Sequence, residues 1–184
     1  MRQLAHQGVD PVNDAEAIEA TADKLRSLQI LAAAGIPVPR TTLGKFPVDV
    51  DLVERELGFP VVVKRLLVVG GKVVAAMERR ARDGGFKSNV SLRGEGLSFD
   101  PLRELKKLAI KVAKTLNLDI AGVDILFDDN GYQVCEANSS PGFQGLEKAL
   151  GIDVPELIFE WLFRRHARVE GGLLRWFDAM RDDW

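Results

Sequence analysis

Three oxygen-bearing side chains, Asp124, Glu136 and Asn138, have the types and spacing for divalent-cation chemistry. They lie in the stretch GVDILFDDNGYQVCEAN (residues 122–138), which reads as two short strands joined by a tight turn. Residues i and i+2 of a strand share a face, so Glu136 and Asn138 point the same way. Whether Asp124 joins them depends on the turn. A three-residue loop Asp129-Asn130-Gly131, with Gly131 in the left-handed conformation, pairs residue 128 with 132 and so 124 with 136. A two-residue Asn130-Gly131 loop slips the register by one and turns Asp124 to the opposite face. In the first register the donors form a hard-oxygen cluster of the kind magnesium takes, one or two carboxylates completed by phosphate oxygens. The other reading is that these acids decorate a solvated hairpin.

The elements that must position this hairpin are legible from patterning. Asn13 followed by Glu16 resembles a capping box. Ile18, Ala22, Leu25, Leu28 and Ala32 then keep helical spacing until Gly35, Pro37 and Pro39 end the helix. A shorter helix is expected over residues 51–57, stopped by Gly58 and Pro60. Val61-Val62-Val63 reads as a strand covered on both faces. Residues 66–77 read as a hairpin turning on Gly70-Gly71. Residues 82–98 hold four glycines and few large apolar side chains, which predicts a long loop. Asp100 and Pro101 predict a helix start, with Leu102, Leu105, Leu108, Ala109, Val112 and Leu116 as its buried stripe. Ser139-Ser140-Pro141-Gly142 makes a turn, helical segments fill 146–165, and residues 168–184 have the pattern of an amphipathic helix. This order predicts an α+β fold with a largely antiparallel sheet and flanking helices.

Composition narrows the function classes. The chain has 184 residues, 46% hydrophobic and 28% charged, which is ordinary for a globular domain. A net charge of -2 gives no electrostatic footprint for nucleic acid or an anionic membrane surface. The first residues lack the apolar core of a signal peptide. Apolar runs stay far below the ~20 residues that span a bilayer. The lone Cys135 excludes an intramolecular disulfide and fits a reducing compartment, so a cytoplasmic location is expected. Its place inside a strand suits a buried, inert thiol. No Ser-His-acid or Cys-His constellation stands out, and no Gly-Lys-Ser/Thr phosphate loop is present.

The segments DKLRSLQILAAAGIPVP (23–39), VVVK (61–64), LVVGGKVVAAMERRARDGGFKSN (67–89), AGVDILF (121–127) and CEANSSPGFQGLEKALGID (135–153) resemble, in order, the RimK-type ATP-grasp ligases. Those enzymes join an amino acid, often glutamate, to a carboxylate. The resemblance implies an ATP-grasp C-terminal lobe, ATP and magnesium as cofactors with manganese as an alternative, and a carboxylate acceptor, small molecule or peptide, as partner. It divides the chain into a linking helix and lid remnant (1–64), a catalytic lobe (65–165) and a tail (166–184). Two departures stand out. The family carries an N-terminal α/β domain, and here the segments begin at its last helix. After VVVK the family continues through a glycine-rich phosphate loop, a helix and the strand that leads to the adenine hinge. Here Lys64 runs directly into Arg65, so most of the nucleotide-clamping lid is expected to be missing. A natural remnant and a chain from which a segment was left out both give this junction.

The resemblance also assigns residues. Asp124, Glu136 and Asn138 become magnesium ligands, with Glu136 bridging two ions. Arg79 becomes the catalytic contact to the γ-phosphate, since a guanidinium can bind two phosphate oxygens at once. Lys24, Lys64, Lys87, Ser88 and Asn89 become nucleotide contacts. Read without the family, Lys64 is equally a lysine snorkelling at a strand end, and Lys24 an exposed helix lysine. With one side of the clamp reduced, a non-catalytic binding module is the competing class, and two copies completing each other's clefts a further arrangement.

Overall fold

The computed structural model describes residues 2–41, 62–81, 94–128 and 131–170. The chain divides into two compact units, Met1–Gly151 and Ile152–Trp184. The first unit is built on an antiparallel sheet of β1 (Val62–Val69), β2 (Lys72–Ala81), β3 (Gly94–Ser98), β4 (Ile120–Asp128) and β5 (Gly131–Asn138), in the order β3-β2-β1-β4-β5. Helices α1 (Arg2–His6), α2 (Ala15–Ala22) and α3 (Lys24–Ala33) precede the sheet, α4 (Arg103–Thr115) joins β3 to β4, and α5 (Gln144–Leu150) follows β5. The predicted α+β class and antiparallel sheet are found.

β1 is the central strand. Leu66, Leu67, Val68 and Val69 are all buried, so both of its faces are covered. The sequence placed that doubly covered strand at Val61–Val63. Instead one strand runs from Val62 through Lys64 and Arg65 to Val69. Gly70 and Gly71, at φ 56 and 74, make the expected turn into β2. Two consecutive positive φ values are what a tight hairpin turn matched to strand twist requires. One face of the sheet packs on α4 through Leu105, Ala109, Val112 and Ala113, which meet Leu66, Val68, Val123, Ile125 and Val134 in one core with Ala17, Leu31 and Ile36. The α4 stripe is as expected except at its start. Leu102, not Asp100, is the N-cap, and 64% of it is exposed. Asp100 instead accepts a hydrogen bond from Lys106 Nζ at 2.9 Å.

Three other expectations are corrected. The single N-terminal helix is two, because Asp23 accepts from the Arg26 amide at 3.0 Å and caps a new helix at Lys24. Asn13 is no cap. Asp14 takes that role, accepting from the Glu16 amide at 2.7 Å. Residues 94–98, read as loop, form the edge strand β3. The expected helix at 51–57 and loop residues 82–93 lie outside the described residues, as do 171–184 of the predicted tail.

In the second unit, α6 (Val154–Glu170) opens with Asp153 accepting from the Glu156 amide at 2.9 Å. Arg164 pairs with Glu160 one turn earlier, and Arg165 lies 5.5 Å from the centre of the Trp161 ring. Among the described residues, no helix is long and apolar enough to cross a membrane.

Candidate functional site

The β4–β5 hairpin brings Asp124 opposite Glu136 and Gly122 opposite Asn138. Asp124, Glu136 and Asn138 therefore share one face, away from the α4 core to which Val123, Ile125 and Ala137 belong. The pairing is the expected one, but the turn does not produce it. Asp128 pairs with Gly131, leaving only Asp129 and Asn130, which lie outside the described residues, between the strand ends. That connection is one residue shorter than the three-residue loop. The register then shifts between Asp124 and Ile125, where Cys135 is left unpaired on β5. This β-bulge adds back the missing residue and returns Asp124 to the face of Glu136. Cys135 Sγ sits 3.4 Å from the Asp124 carbonyl oxygen. Burial first, then the Asp124 charge, pushes its thiol up to about 12, while Lys24 pulls the other way.

The sequence reading missed the residue that holds Asp124. Arg65 pairs with Asp124 across β1 and β4. Its Nε and Nη2 each donate to a different carboxylate oxygen at 2.6 Å, a two-pronged grip. Side-chain exposure is 13% for Arg65 and 6% for Asp124. Burial works against the Arg65 charge, but the hydrogen bonds and charge of Asp124, helped by Glu136, outweigh it and hold the guanidinium above its ordinary value. Only the β1–β4 pairing reveals this partner, since Arg65 is 59 residues away in sequence.

The end of the hairpin is fixed from two directions. Asn13, 2% exposed, donates through Nδ2 to the carbonyls of Ile120 and Ser139, both at 2.8 Å, and its Oδ1 accepts from the Ile120 amide at 2.8 Å. It ties the start of β4 to the residue after Asn138. Pro141 lies against Gly122 so closely that a Cβ there would come within 2.6 Å of the proline Cβ. Ser140 N donates to Asn138 Oδ1 at 3.3 Å.

The other candidates come from other elements. Lys64 falls on the α4 face, where Nζ donates to Glu78 at 2.8 Å and lies 4.6 Å from the Phe99 ring centre. Lys24 is the exposed first residue of α3. The backbone of Arg79 pairs with Val63 and Gly96. Lys87, Ser88 and Asn89 lie outside the described residues. Among the described residues, no group of three or more His, Cys, Asp or Glu side chains is placed to hold a metal ion. The candidate set is two carboxylates and an amide. Each Asp124 oxygen accepts one hydrogen bond from Arg65 and keeps a second lone pair. That donor chemistry fits a hard cation such as magnesium.

Solved structures share this architecture. The ATP-grasp ligase PsnB, complexed with a phosphomimetic variant of its minimal precursor, Mg and ADP, superposes with a TM-score of 0.68 at 19% identity. That match covers 88% of this chain and 64% of PsnB, so the chain spans just under two thirds of that protein. D-alanine–D-alanine ligase from Bacillus anthracis, complexed with ATP, gives 0.66 at 19% identity, covering 91% of this chain and 74% of that one. The fold is ATP-grasp.

The profile of the RimK-like ATP-grasp domain matches residues 21–66 and 64–162. Ribosomal protein bS6–L-glutamate ligase of Escherichia coli O81 (strain ED1a) is 35% identical over 218 residues, covering 92% of this chain and 72% of that protein. A probable alpha-L-glutamate ligase of Enterobacter sp. (strain 638) is 36% identical over 215 residues, covering 91% and 71%. The chain belongs to the RimK-like ATP-grasp family, and its class is that of the carboxylate–amine ligases. The two profile matches meet at the Lys64–Arg65 junction. An alignment of 218 positions that uses 92% of 184 residues leaves several tens of the relative's residues without a counterpart here.

Proposed function

We propose that this chain carries the metal and phosphate side of an ATP-dependent ligase that adds an amino acid, glutamate foremost, to a protein or peptide carboxylate. In that reaction a carboxylate oxygen attacks the γ-phosphorus and ADP leaves. The amine then attacks the acyl phosphate, forming the amide and releasing phosphate. Such transfer asks the protein for in-line positioning and charge neutralisation rather than covalent help. The convergence of Asp124, Glu136 and Asn138 on one sheet face is the observation that carries this reading. Those three side chains would hold magnesium, which supplies charge neutralisation on the phosphate oxygens when bound. Arg79 would meet the γ-phosphate, and Lys24, Lys87, Ser88 and Asn89 the nucleotide, with residues 65–165 as the catalytic lobe. Lys64 would reach phosphate only after leaving Glu78. The relatives' names support glutamate as the added amino acid and a ribosomal protein as one class of acceptor. Cytoplasm, where such acceptors and ATP meet, is the proposed location.

The test is conversion of ATP to ADP and phosphate by the intact chain, dependent on magnesium, glutamate and a carboxylate acceptor. Turnover in the parent and its loss in Glu136→Ala is the expected result. Turnover that survives Glu136→Ala would remove the proposal.

One observation favours a second reading, a non-catalytic module derived from such an enzyme. β1 runs unbroken through Lys64 and Arg65, where the two stretches of family match meet, the relatives carry several tens of residues without a counterpart in this chain, and Lys64 is already paired with Glu78. A clamp reduced on one side loses affinity and water exclusion. Calorimetry with Mg·ADP discriminates: no binding heat supports the module, and micromolar binding the ligase.

A further inference from the structure

The carboxylate face already contains a cation. Arg65 takes both oxygens of Asp124, and its charge lies in the field of Glu136, the residue paired with Asp124. Among these three groups alone, one guanidinium against two carboxylates leaves a single net negative charge, and Lys24, near enough to act on Cys135, adds further positive field. A bare divalent ion arriving there would make the cluster net positive, next to a guanidinium too buried for salt to screen well. The same ion arriving on a diphosphate or triphosphate brings its own compensating charge. We propose that Arg65 is a specificity-determining residue that makes this cluster accept a divalent cation as its polyphosphate complex and reject the bare ion. This rests on the metal–nucleotide reading above. A purely structural ion pair has a different consequence, because its loss can only loosen the site.

The experiment titrates Mn²⁺ alone into the intact chain, reading free Mn²⁺ by electron paramagnetic resonance. Arg65→Met, which deletes the charge, is expected to bind bare Mn²⁺ at least tenfold more tightly than the parent. Arg65→Lys, which keeps charge and loses the fork, should stay within about twofold of the parent. Unchanged or weaker Mn²⁺ binding in Arg65→Met overturns the proposal. Should that variant fail to fold, Arg65→Gln keeps a hydrogen-bonding amide without charge and carries the same expectation and the same refutation. Adding Glu136→Gln to Arg65→Met must abolish the gain; tight binding that persists puts the ion elsewhere and removes both proposal and underlying reading. Calorimetry of Mn·ADP on the parent separates the two. If the parent binds Mn·ADP through Glu136 but Arg65→Met gains nothing for bare Mn²⁺, the nucleotide site stands and the role of Arg65 falls.

Discussion

Lys64 and Arg65 are neighbours in β1, yet their charges serve opposite faces of the sheet. Lys64 points to the α4 side, makes one contact to Glu78 across β2 and rests near the Phe99 ring. Arg65 points the other way and grips Asp124 across β4 with two hydrogen bonds. Both pairs are largely shielded, with side-chain exposures of 15% and 13% for Lys64–Glu78 and 13% and 6% for Arg65–Asp124. The difference lies in geometry and surroundings. A flexible ammonium with one carboxylate partner closes the edge of an apolar core. A rigid fork on a carboxylate, with a second carboxylate alongside, organises a polar cluster. Adjacent cations of equal charge thus do unlike work, and the strand's two-residue period decides which does which.

The comparison can be broken most sharply at Asp124. Replacing it with Ala strands the Arg65 guanidinium without its partner, and about 3 kcal/mol of stability should be lost. Urea unfolding reads this as a fall in midpoint at unchanged slope. Asn13→Ala should come next, at about 2 kcal/mol, because it leaves the Ile120 amide and the Ile120 and Ser139 carbonyls short of a buried partner. The same titration would show it, and amide exchange should quicken at the start of β4. The smallest effect belongs to Lys64→Met, which keeps the apolar stem against Phe99 but takes one partner from the shielded Glu78, and should cost about 1.5 kcal/mol. It should leave Mn²⁺ binding unaltered. A Lys64→Met change in cation affinity would dissolve the distinction between the two faces.

Much of this was legible in the residues themselves. The alternation in VCEAN put Glu136 and Asn138 on one face, with Asp124 joining them in one of two hairpin registers, and Gly70-Gly71 marked the β1–β2 turn. The reason for the first pairing was not legible. A short connection and the bulge at Cys135 cancel each other, and a bulge of this kind needs no glycine or proline to announce it. Asn13 looked like a helix cap because Asn at that spacing usually is one. Its true partners lie 107 and 126 residues away, beyond any local pattern. Asp23 did carry a local signal, an N-cap residue inside a helical run, which the apolar spacing on either side concealed. Arg65 was overlooked because a charged residue inside a strand has meaning only through its cross-strand neighbour.

The unbroken passage of β1 across Lys64 and Arg65 sets a parity condition on this part of the chain. Inserting or deleting a single residue at that point would rotate everything on one side by half a pleat. If the Arg65 side moved, the fork would swing into the apolar layer; if the Lys64 side moved, the ammonium would land among the acids. Changes by two residues preserve the phase, so an even count is the arithmetic that any remodelling of this strand has to respect.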